Sequence, residues 1–153
     1  MMTMNHLRMR PKDDYIETAR WEELRTLSQQ WQSDLVYFRG ELRFLNNLIG
    51  KYLIWFIRED RLPAVQKMVA NLNDLSKQSE QLATALEKQR ARIQELSTHT
   101  LSEDEVRFRQ RYRTLEDNLT DFTKDFRGQK IAISAILEHA IDSQEFQRRI
   151  STA

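Results

Sequence analysis

The sequence contains no cysteine, and only three of its 153 residues are glycine and two are proline. Without cysteine the chain forms no disulfide, has no thiolate nucleophile and builds no cysteine-based zinc site. Glycine and proline are the residues that most often interrupt helices and form tight turns. Their scarcity therefore favours a few long helices, and the missing cysteine is consistent with a reducing, cytoplasmic environment.

The chain also lacks an excess of charge of one sign and a long hydrophobic run. Its 24 basic and 23 acidic residues give a net charge of +1, so we expect no nucleic-acid partner. The longest dense apolar run, residues 48–57, contains Lys51 and is about half the length that a membrane span needs. The first 14 residues hold no apolar signal-peptide core. We therefore expect a cytoplasmic protein that does not insert stably into membranes.

What the sequence does contain is an uninterrupted seven-residue apolar repeat in three long stretches. Steps of three and four residues alternate within each stretch, which places one apolar stripe along each helix and favours left-handed, coiled-coil-like packing. The stripes are Trp31, Leu35, Phe38, Leu42, Leu45, Ile49, Tyr52 and Phe56; Val65, Met68, Leu72, Leu75, Ser79, Leu82, Leu86, Gln89, Ile93 and Leu96; and Phe108, Tyr112, Leu115, Leu119, Phe122, Phe126, Gln129, Ile133, Ile136 and Ala140.

The helix boundaries follow from Pro63 and from the polar residues 97–100. We expect helices at about 14–59, 63–98 and 103–147 in one domain, 14–149, after a disordered tail, 1–13. Short connections require neighbouring helices to be antiparallel, which predicts an all-α, elongated, up-down-up three-helix bundle. This architecture resembles the spectrin-type three-helix repeat, although no sequence motif supports the resemblance. The connections also predict which positions of neighbouring helices lie at the same height, to within about one helical turn.

The most apolar parts of the three predicted helices, 48–57, 62–72 and 131–137, meet at one end of the bundle. That end has more apolar residues than one inward stripe can bury, and a large exposed apolar patch usually marks an interface. The alternative is a wider core. For an interface, in a homodimer or with a partner helix, we expect contacts from Ile54, Trp55, Ile57, Leu137 and Ile141.

No motif for catalysis or metal binding is present. The sequence has no glycine-rich phosphate loop, nucleophile elbow or zinc motif. His6, His99 and His139 are scattered along the sequence. The Glu-x-x-His pair that is typical of di-iron helical bundles is absent. We therefore expect no enzyme activity, cofactor or metal, and a helical protein that acts through protein–protein contact and self-association. The alternative is a binder of a small apolar ligand between helices, at the 48–57/131–141 end.

Four arginines at alternate positions, Arg107, Arg109, Arg111 and Arg113, resemble a basic patch. Alternate residues of a helix point about 200° apart, so the four divide between two faces. Glu103 and Glu105 precede Arg107 and Arg109 by four residues, a favourable ion-pair spacing. A solvated, salt-bridged surface is the favoured interpretation, with phosphate or nucleic-acid contact as the alternative.

Two further sets of residues interrupt the helical pattern. Ser79, Gln89 and Gln129 are polar residues at inward positions, where they fix helix register or line a small polar pocket. Gly50 and Gly128 lie in mid-helix at nearly the same predicted height. They are either tolerated on the outer face, or allow close approach of another helix, or mark a shared bend beside a ligand.

Overall fold

The computed structural model describes residues 15–98 and 102–152, without the side chains of 102–104, 144–147 and 149–152. The predicted tail, 1–13, lies outside the described residues. Within them the chain is helical and contains no strand, which confirms the all-α class. The helices are α1 (Tyr15–Thr18), α2 (Trp21–Lys51), α3 (Leu53–Arg58), α4 (Leu62–Leu96) and α5 (Ser102–Thr152).

The prediction of one continuous helix over 14–59 is wrong, because this stretch forms α1, α2 and α3. The described residues thus contain five helices rather than the three expected. At the first break Arg20 is extended, with φ −74° and ψ 160°. The second break is a local bend at Tyr52 and not a full interruption of the helix, because the Tyr52 N–H still donates a helical hydrogen bond to the Leu48 carbonyl (3.2 Å). The first break has no nearby glycine or proline, whereas Gly50 lies two residues before the second.

The start of α2 is stabilised by a bond that the sequence alone did not reveal. The backbone N–H of Arg20 donates to Oε1 of Glu23 at 2.9 Å, which satisfies a donor at the helix start. This backbone hydrogen bond lowers the pKa of the Glu23 carboxyl below its ordinary value, against a smaller opposing effect of desolvation. The extended Arg20 and the carboxylate together allow α2 to begin at Trp21 after the short α1.

A compact reverse turn joins α3 to α4. Asp60 has a positive φ of 56°, the left-handed conformation common after a helix end. The Asp60 N–H donates to the Ile57 carbonyl (3.1 Å) and the Arg61 N–H to the Phe56 carbonyl (2.8 Å), the bond pattern of a Schellman motif. Pro63 then lies in the first turn of α4, where its missing N–H costs no helical bond.

Side-chain pairs show how the long helices align. Arg25 bonds Gln94 and Arg90 bonds Gln32, so α4 runs antiparallel to α2. Asn71 donates to Gln129 at 3.2 Å, between α4 and α5. These pairs fall within one helical turn of the predicted register. α4 begins and ends within two residues of the prediction, whereas α5 extends five residues beyond it.

Aromatic residues fill the space between α2 and α5. Trp31 packs on Tyr112 with ring centroids 5.0 Å apart, and Phe38 packs on Phe126 at 4.8 Å. α4 contains no aromatic residue and contributes aliphatic side chains such as Leu72 to the same core. The rings hold α2 and α5 apart, while α4 packs closely along both.

Candidate protein-interaction site

The structure divides the five predicted contact residues into two groups. Ile54, Ile57 and Ile141 are exposed, with 65%, 53% and 40% of their surfaces accessible. Trp55 and Leu137 are only 3% accessible and belong to the core. The expectation that these two side chains contribute to a surface contact is therefore corrected. The role of the three exposed isoleucines stays a prediction.

The bend at Tyr52 explains why Trp55 is buried. In a straight continuation of α2, only Phe56 would lie on the inward stripe. After the bend, Trp55 and Phe56 both face the core, with their ring centroids 5.3 Å apart. The Trp55 indole also packs against the ring of His139 on α5, at 5.7 Å. Its buried Nε1 has no hydrogen-bond partner among the residues that the structure describes.

Beyond Tyr52 a set of large apolar side chains faces outward. Leu53 and Ile54 lie four and three residues before Ile57, so the three occupy one face of α3. Leu62, the first residue of α4, is a fourth exposed apolar residue just beyond the turn. We call these four residues, Leu53, Ile54, Ile57 and Leu62, the α3 patch. The sequence pointed to this segment, and the structure shows which of its residues form the exposed face.

The short α1 is held by two of the four arginines. Arg109 donates through one guanidinium nitrogen to the carbonyls of Ile16 (2.7 Å) and Ala19 (2.8 Å). Its guanidinium also lies over the Trp21 ring, 4.6 Å from the ring centroid. Nε of Arg109 is 3.6 Å from Oε2 of Glu105, which confirms the predicted Glu105–Arg109 pair. These contacts make Arg109 a clamp at the break between α1 and α2.

Arg113 makes the second contact with α1. Its guanidinium binds both carboxylate oxygens of Glu17, at 2.6 and 2.7 Å, a bidentate geometry. Arg107 and Arg111 lie on the other face of α5 and are exposed, as the predicted division required. The side chain of Glu103, the expected partner of Arg107, lies outside the described residues.

A groove of about 460 Å³ runs between α4 and α5 at mid-length. Its apolar residues are Leu82, Ala85, Leu115 and Phe122, and its polar residues are Gln78, Gln81, Gln89, Arg111, Thr114, Asn118 and Asp121. The Oε1 atom of Gln89 is buried and has no hydrogen-bond partner in the described part of the chain. The groove lies away from the end where a small apolar ligand was predicted. At that end Phe56, Ile133 and Leu137 fill the core.

The other polar and glycine positions have local explanations. Ser79 is buried and donates to the Ser76 carbonyl of its own helix at 2.7 Å. Gln129 bonds Asn71 across two helices, consistent with a role in register. A Cβ atom at Gly50 or Gly128 would meet no atom of another described element within 4 Å, so neither glycine serves a close approach within the described residues.

The part of the chain that the structure describes contains no group of three or more histidine, aspartate and glutamate side chains placed to hold a metal. No helix in residues 15–98 and 102–152 combines the length and apolarity that crossing a bilayer requires. No protein family, curated protein or solved structure matches the chain.

Proposed function

We propose that this protein acts without catalysis, through protein–protein contact, and that a second copy of the chain binds at the α3 patch. The observation that supports the proposal is the exposure of Leu53, Ile54 and Ile57 on one face of a six-residue helix. A group of large exposed apolar side chains usually marks a site where another protein binds and covers them. A twofold axis at the patch would bring each copy's isoleucines against the same residues of the other.

We also take α2, α4 and α5 as the members of an up-down-up three-helix bundle, with α1 and α3 as short extensions of α2. Ile141 is retained as a contact residue because it is exposed on α5, near the residues where His139 packs on Trp55. We further propose a cytoplasmic protein, and the near-neutral net charge supports the absence of a nucleic-acid partner.

Light scattering coupled to size exclusion tests the proposal. At about 0.5 M salt, which screens surface ion pairs, we expect the unmodified chain to have twice its mass of 18.4 kDa. The double variant Ile54→Glu, Ile57→Glu should have the mass of one chain, because buried charge opposes an apolar contact.

Val36→Glu is the matched control, since Val36 lies on α2 and is 65% exposed, as Ile54 is. Its mass should equal that of the unmodified chain. Circular dichroism of each variant must show an unchanged helix content. A double variant that keeps the mass of two chains would exclude the α3 patch as the dimer contact.

A further inference from the structure

A straight stripe of exposed polar residues runs along α5 beside the α4–α5 groove. Steps of four and three residues alternate along it, so all its members share one face of the helix. Every member is exposed, and the middle four line the groove. We call this set the α5 stripe: Arg107, Arg111, Thr114, Asn118, Asp121 and Asp125.

The charges of the α5 stripe are separated by sign. Its first two residues, Arg107 and Arg111, are basic and its last two, Asp121 and Asp125, are acidic. None of these four side chains forms an ion pair within the described residues. Each like-charged pair has the i, i+4 spacing that disfavours an isolated helix. Within the described residues these four charged side chains are therefore open to contact with a partner.

A second copy of the chain in antiparallel orientation would compensate for this arrangement of charge. With a twofold axis midway between Thr114 and Asn118, Arg111 of each copy lies opposite Asp121 of the other. The same axis places Arg107 opposite Asp125, and Thr114 opposite Asn118. A parallel arrangement would instead place like charges together, which opposes association.

We infer that the α5 stripe is a second self-association surface, at which two copies pack antiparallel about this axis. The inference goes beyond the proposed function, because the α3 patch is formed by other residues on other helices. The stripe spans about 27 Å at 1.5 Å per residue, which is long enough to fix the orientation of two packed helices.

The wall of the groove that α4 provides suits this partner. Its polar residues, Gln78, Gln81 and Gln89, are neutral amides, which bond to groups of either charge. Leu82 and Ala85 offer apolar surface between them. The unpartnered Oε1 of Gln89 accepts a hydrogen bond from any donor that enters the groove. The α4 residues that line the groove therefore carry no charge that would repel the α5 of the second copy.

The association should be weak and sensitive to salt, because exposed ion pairs are screened within about 10 Å at 0.1 M salt. The test uses the chain with Ile54→Glu and Ile57→Glu, so that the α3 patch contributes nothing. At about 20 mM salt this chain should approach the mass of two chains as its concentration rises, and at about 0.5 M salt the mass of one. A single-chain mass at low salt and all concentrations would overturn the inference.

Charge reversals then test the orientation. Arg111→Glu alone and Asp121→Arg alone should each give a single-chain mass at low salt, since each places like charges opposite each other twice. Mixing the two variants should restore the mass of two chains, because every opposing pair in the mixed dimer is then of opposite sign. The double variant Arg111→Glu, Asp121→Arg should also recover the dimer.

Arg127→Glu is the control for net charge. Arg127 is exposed on α5, two residues after Asp125 and so on the other side of the helix. Its reversal should leave the low-salt mass unchanged. Single reversals without effect, or a mixture that stays at the mass of one chain, would overturn the inference. Neither result would affect the proposal for the α3 patch, which is tested at high salt with different substitutions.

Discussion

The hydroxyl groups of Ser28 and Tyr112 lie 2.6 Å apart in the core between α2 and α5. Both side chains have 0% exposure, and both also reach the Leu24 carbonyl, at 2.9 Å from Ser28 and 2.7 Å from Tyr112. A buried polar group is stable only when it is hydrogen-bonded. The two hydroxyls and the Leu24 carbonyl satisfy one another's hydrogen-bonding capacity. They also connect α2 with α5, which the aromatic rings otherwise hold apart.

Removal of the Tyr112 hydroxyl should therefore destabilise the fold. We expect Tyr112→Phe to lower the free energy of unfolding by about 1 kcal/mol, measured by urea denaturation. Ser28→Ala should cost a similar amount, and the double variant less than the sum, because the two hydroxyls share one network. Tyr37→Phe, at an exposed position, is the control and should change stability little. An equal effect of both tyrosine substitutions would show that the buried network adds nothing.

The Arg109 clamp predicts a local effect. In Arg109→Ala the carbonyls of Ile16 and Ala19 lose their donor, and the Trp21 ring loses its cation. We expect faster amide hydrogen exchange in residues 15–21, with little change in α4. Arg127→Ala, at an exposed position on the same helix, should leave exchange unchanged. Unaltered exchange in Arg109→Ala would mean that Arg109 is not required to hold α1.

The left-handed conformation of Asp60 predicts a stabilising substitution. Glycine adopts a positive φ without the steric cost that a side chain carries, so Asp60→Gly should raise the free energy of unfolding by up to about 1 kcal/mol. Asp74→Gly is the matched control in the middle of α4 and should lower it by a few tenths of a kcal/mol. Thermal denaturation of both variants is the measurement. Destabilisation by Asp60→Gly would contradict the assigned turn.

Lys130 predicts a pH dependence. Its ammonium donates to Oε1 of Glu41 at 2.7 Å, and this hydrogen bond raises the pKa of Lys130 above its ordinary value of 10.5, despite partial desolvation. Because the folded-state pKa is the higher one, the stabilisation is fully present below pH 10.5 and is lost as the pH rises through the folded-state pKa. The stability difference between the unmodified chain and Lys130→Met should therefore shrink above pH 10.5. A difference that stays constant through this range would exclude the pair as its cause.

The adjacent residues Ile54 and Trp55 differ in burial, so substitutions at the two positions should differ in their effect on stability. Trp55→Glu should lower the free energy of unfolding by several kcal/mol, since it places a charge in the core and removes a large apolar side chain. At protein concentrations where the chain is a monomer, so that the dimer contact contributes nothing, Ile54→Glu should change it by no more than about 0.5 kcal/mol, as is usual at a surface position. Chemical denaturation of both variants makes the comparison. Similar losses would mean that Ile54 is also a core residue.

The sequence predicted the helix class and the alignment of the long helices because the seven-residue repeat is a local and regular signal. The stripe residues Trp31, Phe38, Tyr112 and Phe126 are all buried, and the Asn71–Gln129 pair lies at the expected height. The break near Arg20 was missed because it has no local signal. Gly50, two residues before Tyr52, was the local signal near the second break, but the prediction continued the helix through it. The first depends in part on Arg109, about 90 residues away in sequence, whose side chain binds the α1 carbonyls.

The missed bend also explains the errors at the candidate site. Periodicity counted along a straight helix gives no reason to bury both Trp55 and Phe56, and a bend after Lys51 does. Leu137 was expected on the surface because the stripe was continued through Ile136. The structure buries Leu137 and leaves Ile136 only partly buried. In contrast, the division of the four arginines between two faces needed only the local helical period, and it was predicted correctly.

Self-association of the unmodified chain should be visible in its solution mass, measured over a range of concentrations. Light scattering at about 0.5 M salt should give a mass that rises from 18.4 kDa towards twice that value as concentration increases. A mass that stays at 18.4 kDa up to the highest soluble concentration would exclude the proposed dimer.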